Sequence, residues 1–172
     1  LENGNYRVVS YPLLKVKSKT VRGKVIEDFA FNEIVIKHLE PKLMEVKMFI
    51  NDKAFNYFTG DGFIVSTPIG ATGYAIWAGG AVMHSDLDVF QITPIHPNDN
   101  SINRPLESSL IVPQDTTLDF KIVKANIREV IVACDGNKMS NDFIREVHIC
   151  SCEEKIKVLR SDHYDYFDLY KR

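Results

Sequence analysis

Along most of the chain, apolar and polar positions alternate in runs of roughly four to eight residues, the period of a half-buried strand. The runs are closed by Gly, Pro, Asn or Asp. This pattern predicts strands over residues 6–16, 25–36, 43–50, 54–59, 63–67, 87–93, 110–112, 117–123, 129–134, 143–150 and 156–159. Pro12 interrupts the first and marks it as an edge, because proline has no amide hydrogen for a ladder. The run 25–36 reads as one long strand or a bent pair. Gly23, Pro113-Gln114-Asp115, Ala125-Asn126 and Asp135-Gly136-Asn137 supply turns, and Asn51-Asp52 is a hairpin signal. Short strands at regular spacing imply a mainly β chain folded as an antiparallel β-sandwich rather than a doubly wound α/β sheet.

One stretch departs from this rhythm. After the apolar run 63–67, Pro68 ends the ladder and Gly70-Ala71-Thr72-Gly73 makes a turn. Thr72 is placed to cap a short helix over residues 74–78, which Gly79-Gly80 stop. A strand, glycine turn and capped helix leave backbone N–H groups free for a hydroxyl, carbonyl or phosphate. A purely structural corner reads equally well from these residues alone.

With 172 residues the chain is one domain or a little more, and 45% hydrophobic content is enough for a core. A net charge of −2 argues against a nucleic-acid or anionic-membrane surface. No apolar run approaches the ~20 residues of a membrane span. Cys134, Cys150 and Cys152 show no paired spacing and read as reduced thiols of a cytoplasmic protein. There is no P-loop, no G-x-S-x-G and no H-E-x-x-H. The histidines are scattered; only His96, opening a polar loop at 95–105, is a candidate ligand neighbour. That loop is long for a plain turn, which makes it a candidate binding or interface loop. The tail 164–172 reads as a terminal helix or an arm.

The wording of residues 61–80, D-G-F-I-V-S-T-P-I-G-A-T-G-Y-A-I-W-A-G-G, resembles the long glycine/threonine-rich signature of the NAD kinases. Phe31-Asn32-Glu33-Ile34-Val35-Ile36 is similar to the Asn-Glu motif that family places ahead of it. S-Y-P-L-L-K (10–15), G-G-A-V-M-H (79–84), Q-I-T-P-I (91–95) and C-D-G (134–136) follow in family order, so the resemblance covers nearly the whole chain.

The resemblance implies transfer of a phosphoryl group from ATP with Mg²⁺, or from polyphosphate, to the 2′-hydroxyl of the adenosine ribose of NAD. It implies that residues 1–172 are the C-terminal β-sandwich domain. No G-G-D-G occurs here, so the aspartate-bearing N-terminal domain is absent and this chain holds no catalytic aspartate. Asn32 is assigned to an adenine edge, and Glu33 to the ribose hydroxyls, since one carboxylate bridges two of them. Because neighbouring strand side chains diverge, the pair is expected at a strand end or bulge. Asp61, read as lying on a tight exposed turn, is implied at the nicotinamide end, with Thr72, Gly73 and Tyr74 around the adenosine and ribose. Asp135 is implied near the substrate, although its Asp-Gly pair suits a hairpin equally.

Gly73 stands where the family usually has alanine, and Trp77 where a small residue is common; a tryptophan there crowds or fills the second-nucleotide side. The resemblance also implies a homodimer or homotetramer, and no nucleic acid, membrane or protein-bound metal. Two rivals remain: the C-terminal domain of a lipid or sphingoid-base kinase, and a non-catalytic dinucleotide sensor.

Overall fold

A computed structural model of the chain describes residues 5–99 and 105–170. Eleven strands form one antiparallel, curled sheet: β1 (Tyr6–Thr20), β2 (Val25–Ala30), β3 (Glu33–His38), β4 (Met44–Ile50), β5 (Lys53–Ser66), β6 (Val89–Pro97), β7 (Leu110–Pro113), β8 (Leu118–Ile122), β9 (Val130–Cys134), β10 (Asn137–Lys138) and β11 (Ile144–Ser161). Their order is β10-β9-β3-β5-β4-β8-β11-β1-β2, and β6 and then β7 add to β5.

The sheet closes into two layers because β5 changes partners midway. Its first half, up to Gly60, pairs with β4, and Gly62–Ser66 pair with β3. The bend needs glycine on both sides of Asp61. A Cβ on Gly60 would lie 2.8 Å from the His96 carbonyl oxygen, and one on Gly62 only 2.2 Å from that of Ile36. The predicted tight turn at Asp61 is therefore corrected: the residue sits inside one continuous 14-residue strand, at the corner where that strand passes from layer to layer. Phe58, Phe63 and Phe120 stack across the corner at 4.1 and 5.2 Å between ring centroids. Around them Leu14, Val16, Met48, Ile34, Ile36, Val65, Phe90 and Val132 fill the space between the layers.

The predicted run 25–36 is the bent pair, β2 in one layer and β3 in the other, with Phe31-Asn32 as the crossing. Asn51 and Asp52 both take positive φ (48° and 62°), the backbone of a two-residue hairpin. Three other elements run longer than the alternation predicts. β1 continues through Pro12, where its register with β11 shifts. β11 joins the runs 143–150 and 156–159. β6 continues past Pro94 to Pro97, so part of the predicted loop 95–105 is strand; residues 100–104 lie outside those described. The tail forms a 3-10 turn, Tyr166–Tyr170, whose Tyr166 hydroxyl donates to the Met83 carbonyl at 2.5 Å. The three cysteines are free, and burial pushes the Cys134 thiol up to about 12, so it stays protonated.

Candidate functional site

The outer face of the second layer carries a 3-10 turn, Gly70–Thr72, followed by the single-turn helix α1, Tyr74–Trp77. Ala75 of α1 is fully buried in a small apolar cluster with Val35 of β3, Ile64 of β5 and Ile95 of β6, which fixes the turn on the sheet. Thr72 does not cap α1. Its hydroxyl donates back to the Ile69 carbonyl at 3.3 Å, and Gly73 is the residue ahead of the helix, without a side-chain cap. The stop is as expected: Gly79 takes φ +89°, and the Gly79 and Gly80 amides close on the Ile76 and Ala75 carbonyls at 3.1 and 2.8 Å.

Asn32 and Glu33 stand where the chain crosses between layers, Glu33 being the first residue of β3. The crossing is gripped from both sides. The Asp135 carboxylate accepts from the amides of Phe31 (2.7 Å), Asn32 (2.8 Å) and Glu33 (3.0 Å), and its own amide donates to the Glu33 carbonyl at 3.0 Å. Thr67 donates its hydroxyl to the Phe31 carbonyl at 2.7 Å and its amide to the Asn32 carbonyl at 3.0 Å, and accepts the Gly70 amide at 3.1 Å. With the backbone thus fixed, neither side chain is needed to hold the crossing. Among the described residues neither the Asn32 amide group nor the Glu33 carboxylate has a hydrogen-bond partner.

Glu33 lies under the head of α1; a Cβ on Gly73 would sit 3.5 Å from its Oε2. Burial, and secondly the charge of Asp135, raise its pKa above the ordinary carboxylate value. A carboxylate left partly buried, unpaired and beside a second acid does not stabilise the fold, and such conflicts concentrate at functional sites.

The other end of the face holds Asp61, Tyr74 and His96. They line a cavity of about 510 Å³ together with Lys37, Ile95 and the segment 38–43. His96 Nδ1 and Asp61 Oδ2 are 2.9 Å apart, a contact the sequence did not announce. The β3–β5 register runs from Glu33 opposite Ser66 to Lys37 opposite Gly62, four steps or about 13 Å. Gly73 stands close to Glu33 at the first end, and Tyr74, next in sequence, lines the cavity at the second, so the head of α1 links the two. The face thus joins a carboxylate and an amide at one end to an acid–imidazole pair at the other, which suits an elongated ligand bearing hydroxyls.

Trp77 is not in this cavity. It ends α1 with 83% of its surface exposed, so it neither crowds nor fills the space beside Tyr74 within this chain. Trp77→Ser is expected to change stability by less than about 0.5 kcal/mol, the usual range for a surface substitution; a urea-unfolding midpoint checks this. Thr67 is the positioning residue that the reading of the sequence passed over. Its neighbour Pro68 drew attention as a strand breaker, yet a threonine just past a strand end is a ready side-chain bridge to backbone.

Residues 31–161 match the family model of the ATP-NAD kinase C-terminal domain. The chain is 32% identical over 167 residues to an NAD kinase of Streptococcus agalactiae serotype Ia, covering 97% of this chain and 60% of that protein. With an NAD kinase of Finegoldia magna it shares 35% over 162 residues, 92% of this chain and 59% of the relative. The chain therefore spans about three fifths of the length of these relatives. Among solved structures, an NAD kinase from Archaeoglobus fulgidus in complex with ATP superposes with a TM-score of 0.72 at 26% identity, covering 91% of this chain and 56% of that one. Yeast NADH kinase complexed with NADH shares the fold, with a TM-score of 0.78 at 23% identity over 91% of this chain and 45% of that one. The match over residues 31–161 carries one conclusion: the chain belongs to the ATP-NAD kinase C-terminal domain family.

Proposed function

We propose that this chain, residues 1–172, is the dinucleotide-binding domain of an NAD kinase, an enzyme that phosphorylates the 2′-hydroxyl of the adenosine ribose of NAD. The observation that carries the reading is the Glu33 carboxylate, partly buried and without a hydrogen-bond partner among the described residues, next to an Asn32 amide group that likewise has none there. Ionised, it accepts two adjacent ribose hydroxyls while Asn32 pairs with an adenine edge. Gly73 and Tyr74 flank the ribose, Thr72 supports that turn, and the Asp61–His96 pair meets the nicotinamide end. Asp135 acts on the ligand through the backbone of residues 31–33.

What this domain contributes to phosphoryl transfer is positioning: it holds the accepting hydroxyl in line, which supplies much of the rate in such reactions. The activating aspartate and the phosphate-binding glycines belong to a further domain, without which turnover is small. Magnesium would enter on the ATP phosphates and neutralise their charge. Among the described residues no three His, Cys, Asp or Glu side chains come together to hold a metal ion. ATP or polyphosphate serves as donor, the whole enzyme works in the cytoplasm as a homodimer or homotetramer, and Trp77 faces a neighbouring chain or solvent.

Calorimetry with NAD tests the reading. NAD is expected to bind the parent chain, and Glu33→Gln to weaken that binding by about 1.5–3 kcal/mol, the value of a hydrogen bond to a charged group. The same variant should melt no lower than the parent at neutral pH. A raised carboxylate pKa means the folded state holds its proton more tightly than the unfolded one. Ionising Glu33 therefore removes stability as pH rises from the ordinary carboxylate range through the raised value, and glutamine abolishes that loss. Unchanged NAD affinity in a folded Glu33→Gln protein would take Glu33 out of the site.

A further inference from the structure

Across the outer face of the second layer, Glu33 of β3 is the direct partner of Ser66 on β5, and Ser66 of Gln91 on β6. Directly paired residues of an antiparallel sheet share a face, so the three side chains form one polar row under the Gly70–Gly80 segment. Ser66 and Gln91 are both 0% exposed. Gln91 uses its Oε1 to accept the Ala81 amide at 2.7 Å, but its Nε2 and the Ser66 Oγ have no hydrogen-bond partner among the described residues. Two buried orphans on adjacent strands are expensive, since each forfeits its hydration for nothing. Among the described residues, their neighbour in the row is the one carboxylate of the site without a donor. The amides of residues 31–33, which would otherwise serve it, are taken by Asp135.

We propose that Ser66 and Gln91 are positioning residues for Glu33, and that they do so by seating one buried water between them. The water accepts from the Gln91 Nε2–H and the Ser66 hydroxyl, and donates to the Glu33 carboxylate. It thereby has three partners, the usual complement of a structural water, and both orphans are satisfied. The donor it provides favours the ionised form of Glu33 against burial and the charge of Asp135. Of the elements packed around Glu33, the β9–β10 turn brings Asp135, and the head of α1 approaches it through Gly73, which has no titratable side chain; among the described residues β5 and β6 bring no ionisable group at this end. That the ionised Glu33 serves a ribose rests on the proposed function; the water site itself does not.

The experiment reads Glu33 directly, by carbon NMR of its side-chain carboxyl over a pH titration of the 172-residue chain, with NAD affinity measured separately. Ser66→Ala is expected to raise the Glu33 midpoint by about one pH unit, a tenfold loss of preference for the charged form. Gln91→Met should move it the same way, and is the second arm should Ser66→Ala fold poorly. Thr93→Val, one row along on the same face, should leave it in place. Midpoints unchanged in both folded variants overturn the proposal. A shifted midpoint in a protein that does not bind NAD upholds the water site and removes only its link to a dinucleotide.

Discussion

Asp135→Ala is expected to destabilise the chain by about 3 kcal/mol and to weaken NAD binding at least tenfold. Its carboxylate accepts three amide hydrogens from the strand crossing at residues 31–33. A hydrogen bond to a charged acceptor is worth about 1.5–3 kcal/mol, and three on one exposed group fall short of additive. Asp135→Asn separates the contributions. Oδ1 alone serves Asn32 and Glu33, so an asparagine oxygen retains those two bonds, while its NH₂ meets the Phe31 amide in place of Oδ2. The asparagine variant should therefore lose less stability, about 1 kcal/mol. Removing the neighbouring negative charge should also lower the Glu33 midpoint, opposite to the shift expected for Ser66→Ala. Equilibrium urea unfolding and the same carboxyl titration check both. A stability change under about 0.5 kcal/mol for the alanine variant would mean the crossing is held by Thr67 alone.

How much of this could be read beforehand depended on whether the signal was local. The two-layer β architecture, the Asn51-Asp52 hairpin and the Gly79 helix stop all follow from residues within a few positions, and they stand as predicted. Asp61 misled because Asp between two glycines is a turn signal by composition. Those glycines answer instead to contacts from other strands, the His96 and Ile36 carbonyls. The alternation predicts two strands where β11 is one because residues 151–155 break it; they coincide with the register shift against β1, where the pleat is interrupted. At the site, the expectation that Asn32-Glu33 needs a strand end follows from strand geometry and agrees with the start of β3. What holds it there did not: Thr67 and Asp135 lie 35 and about 100 residues away, and only the fold brings them in. Thr72 shows the reverse error. Its spacing suits a cap, but the backbone ahead of α1 is taken by Gly73, so the hydroxyl turns back on its own turn.

The closest approach in the site explains why its two motifs depend on each other. A Cβ on Gly70 would lie 2.0 Å from the Asn32 carbonyl oxygen and 2.4 Å from its carbon. No backbone-to-Cβ contact survives at that distance, and what stands opposite is main chain rather than a flexible side chain. Gly70→Ala must therefore move either the 3-10 turn or the crossing. The turn is tied down by Thr67 Oγ1 on the Gly70 amide, and the crossing by Thr67 and Asp135. The expected result is a loss of about 3 kcal/mol, at the upper end for overpacking, with NAD affinity falling because Glu33 and Gly73 are pushed apart. Gly73→Ala is the internal comparison: its Cβ would meet the Gly70 carbonyl at 3.2 Å and Glu33 Oε2 at 3.5 Å, so neighbours need give only slightly. It should stay within about 1 kcal/mol of the parent. If urea unfolding ranked the two alike, the tight seat of Gly70 on Asn32 would not be what couples the turn to the carboxylate. A large gap between them would make that seat the joint through which residues 61–80 and 31–36 form one surface.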